Sequence, residues 1–71
     1  MRLLLVEDDV PLARELKASL HNQGYAVDHV DNGSHALLSV KTQTPDVVIL
    51  DLGLPDIDGL EVLKRLKQTQ W

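Results

Sequence analysis

The most informative absence from this sequence is cysteine. Among its 71 residues there is none, so a disulfide framework, a thiolate metal site and a cysteine nucleophile are all excluded. A domain of this size hides only about 60% of the surface that its unfolded chain exposes. It must therefore fold on a small hydrophobic core without covalent support, which suits a reducing cytoplasm.

Long hydrophobic runs and an excess of positive charge are also missing. The apolar run Leu3–Val6 has four residues before three acids, which is too short for a signal sequence or a membrane span. Eleven acidic residues against seven basic ones give a net charge of −4, which argues against direct binding of nucleic acid or of an anionic membrane. We therefore expect a cytoplasmic protein that binds neither.

What the sequence does contain is an alternation of strand and helix patterns. Two continuous apolar runs, Leu3–Val6 and Val47–Leu50, are typical of strands that are covered on both faces. The more alternating segment Tyr25–Val30 predicts an edge strand. A helical pattern follows each strand, so the order is βαβαβα, and the short connections predict right-handed crossovers in a parallel sheet.

Local signals place the three helices. Asp9 is the expected cap of the first helix, and Gly24 is expected to end it. Its apolar stripe is formed by Leu12, Leu16 and Leu20. Ser34 is the expected cap of the short second helix. The apolar stripe of the third helix is formed by Leu60, Leu63 and Leu66.

Acidic residues follow the first and third predicted strands where each strand ends. Glu7 and Asp8 come after the first strand, and Asp51 comes after the third. If these strands are neighbours, the three carboxylates meet at the edge where open parallel sheets bind ligands, and their repulsion favours a cation. Oxygen ligands suit Mg²⁺, and an aspartate beside Mg²⁺ can accept a phosphoryl group. For Asp9 and Asp58, capping a helix is an equally good interpretation.

The segments Leu4–Asp9 and Pro45–Gly59 together resemble the receiver domain of bacterial two-component response regulators. The acid pair, the acceptor aspartate and the Pro and Gly after it all stand at the family's spacing. The segments are most similar to receivers of the OmpR/PhoB subfamily, whose full-length members carry a C-terminal winged-helix DNA-binding domain. The resemblance implies a flavodoxin-like α/β fold with the first three strands in the order 2-1-3.

The resemblance also implies roles for individual residues. Asp51 is similar to the aspartate that a histidine kinase phosphorylates, and Asp8 is similar to the direct Mg²⁺ ligand. Glu7 resembles the second acid, which holds metal-bound water, and the carbonyl group of Gly53 resembles the backbone ligand. The family's loop-shaping pair is matched by Pro55 and Gly59.

The sequence departs from the family pattern in its extent. A receiver has five strands and residues 1–71 supply three, so we expect a truncated receiver domain without the DNA-binding effector domain. The family's hydroxyl residue after strand four, its switch aromatic on strand five and its lysine after strand five have no counterparts here. Because those groups hold the phosphoryl oxygens and transmit the signal in the family, weak acceptor chemistry and no switching by the usual route are expected.

Without a fourth strand, Val47–Leu50 would present an open apolar edge, which is a template for pairing. A two-fold axis through that edge would give an antiparallel homodimer with a six-stranded sheet in the order 2-1-3-3′-1′-2′. Three functions stay open: a phosphoacceptor module whose parent regulates transcription, a self-associating half-domain without phosphotransfer, and a small Mg²⁺-dependent phosphohydrolase. A chain this short has little room for a substrate pocket, so we do not expect an enzyme.

The remaining polar residues have ordinary interpretations. The histidines lack the spacing of metal ligands and are expected on the surface; they are His21, His29 and His35. The basic residues near the end of the third helix suit its dipole; they are Lys64, Arg65 and Lys67. Asp56 and Asp58 could imitate a second metal pair, but in a loop that contains Pro and Gly they are expected to supply turn and cap contacts. Trp71 is either a packing contact or part of a frayed terminus.

Overall fold

The computed structural model describes residues 1–68, which form strands and helices in strict alternation. The chain runs through β1 (Arg2–Val6), α1 (Val10–Asn22), β2 (Ala26–Val30), α2 (Gly33–Thr42), β3 (Val47–Leu50) and α3 (Gly59–Gln68). The strands form a parallel sheet in the order β2-β1-β3, which confirms the predicted flavodoxin-like arrangement. Within the described range, no helix has the length and apolarity that crossing a bilayer requires. Trp71 lies outside the described residues.

β1 is the middle strand of the sheet and its most buried element. The side chains of Leu3–Val6 are each at most 5% exposed. At the start of the strand, Arg2 joins both neighbouring segments: its guanidinium donates to Asp28 of β2 at 2.7 Å, and its backbone N–H donates to Asp46 at 2.7 Å. A continuous apolar sequence is stable here because both faces and both edges of β1 are covered.

Alternate residues of β1 serve opposite faces of the sheet. Leu4 and Val6 belong to the main core, in which they pack with residues from the two later helices. Those residues are Ala36 and Val40 of α2 and Val62 and Leu66 of α3. Leu3 and Leu5 point to the opposite face, where α1 contributes its buried residue Ala13. The core is therefore thicker on the side of α2 and α3.

β3 is less buried than its apolar sequence predicts. Val47 and Ile49 are 40% and 38% exposed, whereas Val48 and Leu50 pack partly against the main core. The expectation that both faces of this strand are covered is wrong for the described chain. An apolar run shows that both faces can be buried, but burial also requires another element, and among residues 1–68 α2 and α3 cover one face only.

The predicted ends of α1 are confirmed, but its apolar stripe is only partly buried. Asp9 accepts a hydrogen bond from the backbone N–H of Leu12 at 3.1 Å, and Gly24 follows the helix with a φ of +94°, a conformation that glycine adopts without steric cost. Leu12 and Leu16 remain 41% and 37% exposed. The buried residue of this helix is instead the small Ala13.

Two further helix details correct the sequence-based predictions. The N-cap of α2 is Asn32, whose side chain accepts a backbone N–H three residues on at 2.9 Å, and Ser34 lies inside the first turn. In α3 the buried side chains are Val62 and Leu66, whereas Leu60 is 61% exposed. The predicted stripe of Leu60, Leu63 and Leu66 and the buried pair Val62 and Leu66 both fit the helical period. The direction in which α3 leaves the preceding segment therefore decides which side of the helix faces the core.

That direction depends on Gly59. A Cβ atom at this position would lie 2.5 Å from Cα of Leu52 and 2.9 Å from the carbonyl oxygen of Asp51. The Gly59 N–H donates to the carbonyl of Leu52 at 3.2 Å. The first residue of α3 therefore packs against the backbone that leaves β3, and only a residue without a side chain allows this approach.

We expect Gly59→Ala to lower the free energy of unfolding by about 1–3 kcal/mol, because the added methyl group forces backbone apart in a packed region. The matched control is Gly53→Ala in the same segment, where a Cβ would meet only Oδ1 of Asp51 at 3.7 Å, an ordinary contact. Urea unfolding at one fixed protein concentration measures both. Equal stability of the two variants would contradict the packing role of Gly59.

Candidate functional site

Backbone pairing brings the ends of β1 and β3 to the same edge of the sheet. The N–H of Asp51 donates to the carbonyl of Val6 at 2.9 Å, and the N–H of Glu7 donates to the carbonyl of Val30 at 3.1 Å. These bonds continue the sheet one residue beyond the end of β1. They fix where the side chains of Glu7 and Asp51 start relative to each other.

Three carboxylates meet at this edge. Glu7, Asp8 and Asp51 each offer an oxygen atom, and these atoms all lie within 4.8 Å of one another. Glu7 and Asp51 are half-buried, whereas Asp8 is exposed. The predicted site residues from two distant parts of the sequence are therefore brought together, and the cluster opens to solvent on one side.

The cluster raises the pKa of Glu7. The N–H of Asp9 donates to its carboxylate at 3.1 Å and by itself lowers the pKa. This effect is outweighed by partial desolvation, by the negative charge of Asp51, and by the hydrogen bond and charge of Asp8. Ionised Glu7 is therefore less stable in the folded chain than in water, as expected for like charges held together.

Asp51 is affected in the opposite direction. The N–H of Gly53 donates to Oδ1 of Asp51 at 3.0 Å and is the main reason that its pKa lies below the ordinary value. Partial desolvation opposes this effect, while hydrogen bonding with Asp8 and Glu7 supports it. Asp51 is thus the carboxylate that the cluster keeps ionised, which is the form that a nucleophile or a metal ligand requires.

The donor set fits Mg²⁺ better than a softer metal. All three side chains of the cluster offer carboxylate oxygens, the hard ligands that Mg²⁺ prefers, and the open side leaves room for the waters it retains. Gly53, the predicted backbone ligand, lies beside Asp51 through the N–H contact just described. A divalent cation would also relieve the repulsion that raises the pKa of Glu7.

The structure places one histidine closer to the site than its sequence pattern suggested. Nε2 of His29 donates to the backbone carbonyl of Glu7 at 2.8 Å, and the ring is half-buried. The parallel register pairs Leu5 with His29, so the end of β2 lies beside the start of the acidic segment. Strand order and register together could have predicted this contact, whereas ligand spacing could not.

The acidic residues beyond Gly53 cap helices, but one of them does so at a distance. Asp58 accepts the N–H of Leu60 at 3.0 Å at the start of α3. Asp56 instead accepts hydrogen bonds from Gly33 and Ser34 at the start of α2. The predicted cap contact of Asp56 is therefore present, but its partners lie 22 and 23 residues earlier in the chain, which the loop pattern did not indicate.

The fold and the acidic edge define a member of the response regulator receiver class. A family model described as the response regulator receiver domain matches residues 3–71. The chain belongs to this family. Among curated relatives, it is 39% identical to the transcriptional regulatory protein TrcR of Mycobacterium tuberculosis and 42% identical to AfsQ1 of Streptomyces coelicolor, over 97% and 94% of this chain. It is also 39% identical to the virulence transcriptional regulatory protein PhoP of Salmonella typhimurium, over 97% of this chain.

These matches confirm the predicted similarity to the OmpR/PhoB subfamily. The chain spans only 27–31% of the length of these three relatives, which are named as transcriptional regulators rather than as enzymes.

Solved structures agree with the fold. The response regulator TrrA of Thermotoga maritima, in a complex with Mg²⁺ and BeF, superposes with a TM-score of 0.91 at 37% identity, covering 97% of this chain and 61% of that one. A complex of TrrA with the histidine kinase ThkA gives a TM-score of 0.91 at 37% identity, covering 96% and 59% of the two chains. The receiver domain of a LuxO repressor protein from Vibrio parahaemolyticus gives 0.92 at 38%, covering 97% and 53%.

We expect Glu7→Gln to stabilise the metal-free protein at neutral pH. A carboxyl group whose pKa is raised by folding binds its proton more tightly in the folded state, so ionising it destabilises the fold as the pH rises above about 4.5, its ordinary value. The glutamine keeps the acceptor for the N–H of Asp9. Urea unfolding with EDTA measures the effect.

The control for this comparison is Glu15→Gln, which removes an exposed acid of α1 outside the cluster. The stabilisation by Glu7→Gln should disappear at acid pH and shrink when Mg²⁺ is added, whereas Glu15→Gln should show neither trend. A Glu7→Gln variant that is less stable than the wild type in EDTA at neutral pH would contradict repulsion within the cluster.

Proposed function

We propose that this chain is a phosphoacceptor module of a two-component phosphorelay, in which Asp51 accepts a phosphoryl group from a histidine kinase in an Mg²⁺-dependent reaction. The observation that carries the proposal is the meeting of Glu7, Asp8 and Asp51 within 4.8 Å at the carboxyl edge of the sheet. Membership of the receiver family and the kinase complex of the structurally similar TrrA support it.

The chemistry requires an ionised carboxylate with a fixed orientation. In the proposed step, an oxygen of Asp51 forms a bond to phosphorus while the phosphorus–nitrogen bond of phosphohistidine breaks, which leaves an acyl phosphate on Asp51 and returns the imidazole to the kinase. The N–H of Gly53 keeps Asp51 ionised and restricts rotation of its carboxylate. Bound by Glu7, Asp8, Asp51 and the Gly53 carbonyl, Mg²⁺ would neutralise charge on the phosphoryl oxygens.

The similar proteins support a role for this reaction in the control of transcription. Their names assign them to transcriptional regulation, so we infer that a parent protein carrying this segment regulates transcription from the cytoplasm through a separate DNA-binding domain. The net charge of −4 gives the segment itself no electrostatic basis for binding DNA. Its contribution is the phosphorylation state of Asp51.

Incubation with a small phosphoramidate donor and Mg²⁺ should add one phosphoryl group per chain, detected by intact mass and located on Asp51 by peptide mapping. Asp51→Asn and EDTA should each abolish the addition, and Glu15→Gln should leave it unchanged. Absence of a phosphorylated species in the wild type would favour the self-associating half-domain. Many phosphates released per chain from a phosphate ester would favour a phosphohydrolase.

We also propose that the outer edge of β3 pairs with a second copy of the chain. The N–H of Asp51 donates inward to the carbonyl of Val6 at 2.9 Å, so the alternate residues Val48 and Leu50 turn their backbone groups outward. The side chains of Val47 and Ile49 on the same strand are exposed, and in residues 1–68 no strand pairs with that edge. An antiparallel β3–β3′ contact would complete these hydrogen bonds in a closed two-fold dimer.

Sedimentation equilibrium over a range of protein concentrations tests this pairing. We expect a dimer for the wild type and a monomer for Val47→Lys, because a lysine on an edge strand opposes pairing. Leu38→Lys, on α2, is the control, since its side chain is 58% exposed and lies away from β3. A wild-type monomer at every concentration, or equal dissociation of both variants, would exclude the β3 edge as the interface.

A further inference from the structure

The segment between β3 and α3 carries Gly53 but makes few directional contacts of its own. Leu52 is 56% exposed, and Gly53 is also exposed. Leu54 and Ile57 pack partly against the main core, but apolar contacts do not by themselves fix the orientation of a carbonyl group. The hydrogen bond from the Gly59 N–H to the carbonyl of Leu52 holds the two ends of the segment together, and a further directional contact is needed to fix the backbone between them.

Asp56 provides a directional contact to a different part of the fold. Its Oδ1 accepts the N–H of Gly33 at 2.8 Å, while Oδ2 accepts the N–H of Ser34 at 3.0 Å and the hydroxyl of Ser34 at 2.9 Å. Both oxygens of the Asp56 carboxylate thus accept hydrogen bonds, from three donors in all, which fixes the orientation of the group. Side-chain oxygens at the first turn of a helix satisfy N–H groups that have no partner within the helix.

The surrounding packing makes this contact close. A Cβ atom on Gly33 would lie 3.1 Å from Cβ of Ile57 and 2.8 Å from a methyl group of Val62. Glycine at the start of α2 therefore lets that helix end approach both the segment and α3. The Asp56 carboxylate lies within the same approach, because the added Cβ would stand 3.4 Å from its Oδ1.

We propose that Asp56 is a positioning residue for the acidic site, which it serves by anchoring the 52–58 segment to the start of α2 and so fixing Gly53 beside Asp51. This inference rests on the proposed Mg²⁺ site. Mg²⁺ demands near-ideal octahedral geometry and tolerates displaced ligands poorly. Outer residues that orient metal ligands typically change metal affinity by about 10–100-fold when they are lost.

The test compares two variants that each remove hydrogen bonds from the start of α2. Asp56→Ala removes the anchor, whereas Asn32→Ala removes the cap that accepts the N–H of His35 at 2.9 Å and does not touch the segment. Calorimetric titration with Mg²⁺ should show affinity about tenfold weaker for Asp56→Ala and within about twofold of the wild type for Asn32→Ala. Thermal unfolding of each variant confirms that it is folded during the titration.

A third variant, Asp56→Asn, separates position from charge. It removes the negative charge as Asp56→Ala does, but it keeps a carbonyl oxygen that can accept the N–H of Gly33. Its Mg²⁺ affinity should therefore fall between those of Asp56→Ala and the wild type. Equal weakening by the asparagine and alanine variants would assign the effect to charge and overturn the positioning role, as would equal weakening by Asn32→Ala.

A metal-free measurement keeps this inference distinct from the proposed function. In ¹H–¹⁵N spectra recorded with EDTA, Asp56→Ala should shift the amide resonance of Gly53 and speed its hydrogen exchange, while Asn32→Ala should leave both unchanged. If the wild type binds no Mg²⁺, the proposed function fails, and the Gly53 resonance still decides the role of Asp56. An unchanged Gly53 resonance in Asp56→Ala would overturn that role.

Discussion

The pairing of β1 with strands on both sides is the constraint on which the rest of this structure depends. Its side chains fill both faces of the sheet, and Arg2 joins its start to Asp28 and Asp46. The same pairing continues past its end, where Val6 accepts the N–H of Asp51. The acidic cluster is therefore a consequence of strand alignment. When β1 and β3 pair in this register, the acidic residues that follow them lie close together.

The two faces of the sheet are buried to different extents. One face has two helices and the main core, while the face near α1 leaves Val47 and Ile49 exposed. β3 thus has one well-packed face, one open face and an outer edge with no partner strand among residues 1–68. β3 is therefore the strand of the sheet on which exposed apolar side chains could still be buried by contact with another surface.

The sequence was sufficient for the fold and for the members of the acidic cluster, because both depend on local pattern and strand order. Apolar runs gave β1 and β3, and acids directly after them gave Glu7, Asp8 and Asp51. The burial of β3 and the buried stripe of α3 were not predictable, since each depends on which neighbouring elements supply cover. The long-range role of Asp56 was missed for a similar reason: turn chemistry explains an aspartate in a loop without reference to a helix end 22 residues away.

The two kinds of contact at the site have different physical consequences. Strand register brings the carboxylates together, and their repulsion contributes to the raised pKa of Glu7. Without a cation, this repulsion destabilises the ionised cluster. Hydrogen bonds from Gly53 to Asp51 and from α2 to Asp56 act in the opposite sense, because each favours an ionised carboxylate in one place. A cluster held only by strand register would relax by turning its side chains into solvent. The 52–58 segment has hydrogen bonds at Gly53 and at Asp56 that limit this relaxation. The carboxylates therefore stay close together, and a bound cation would lower their mutual repulsion.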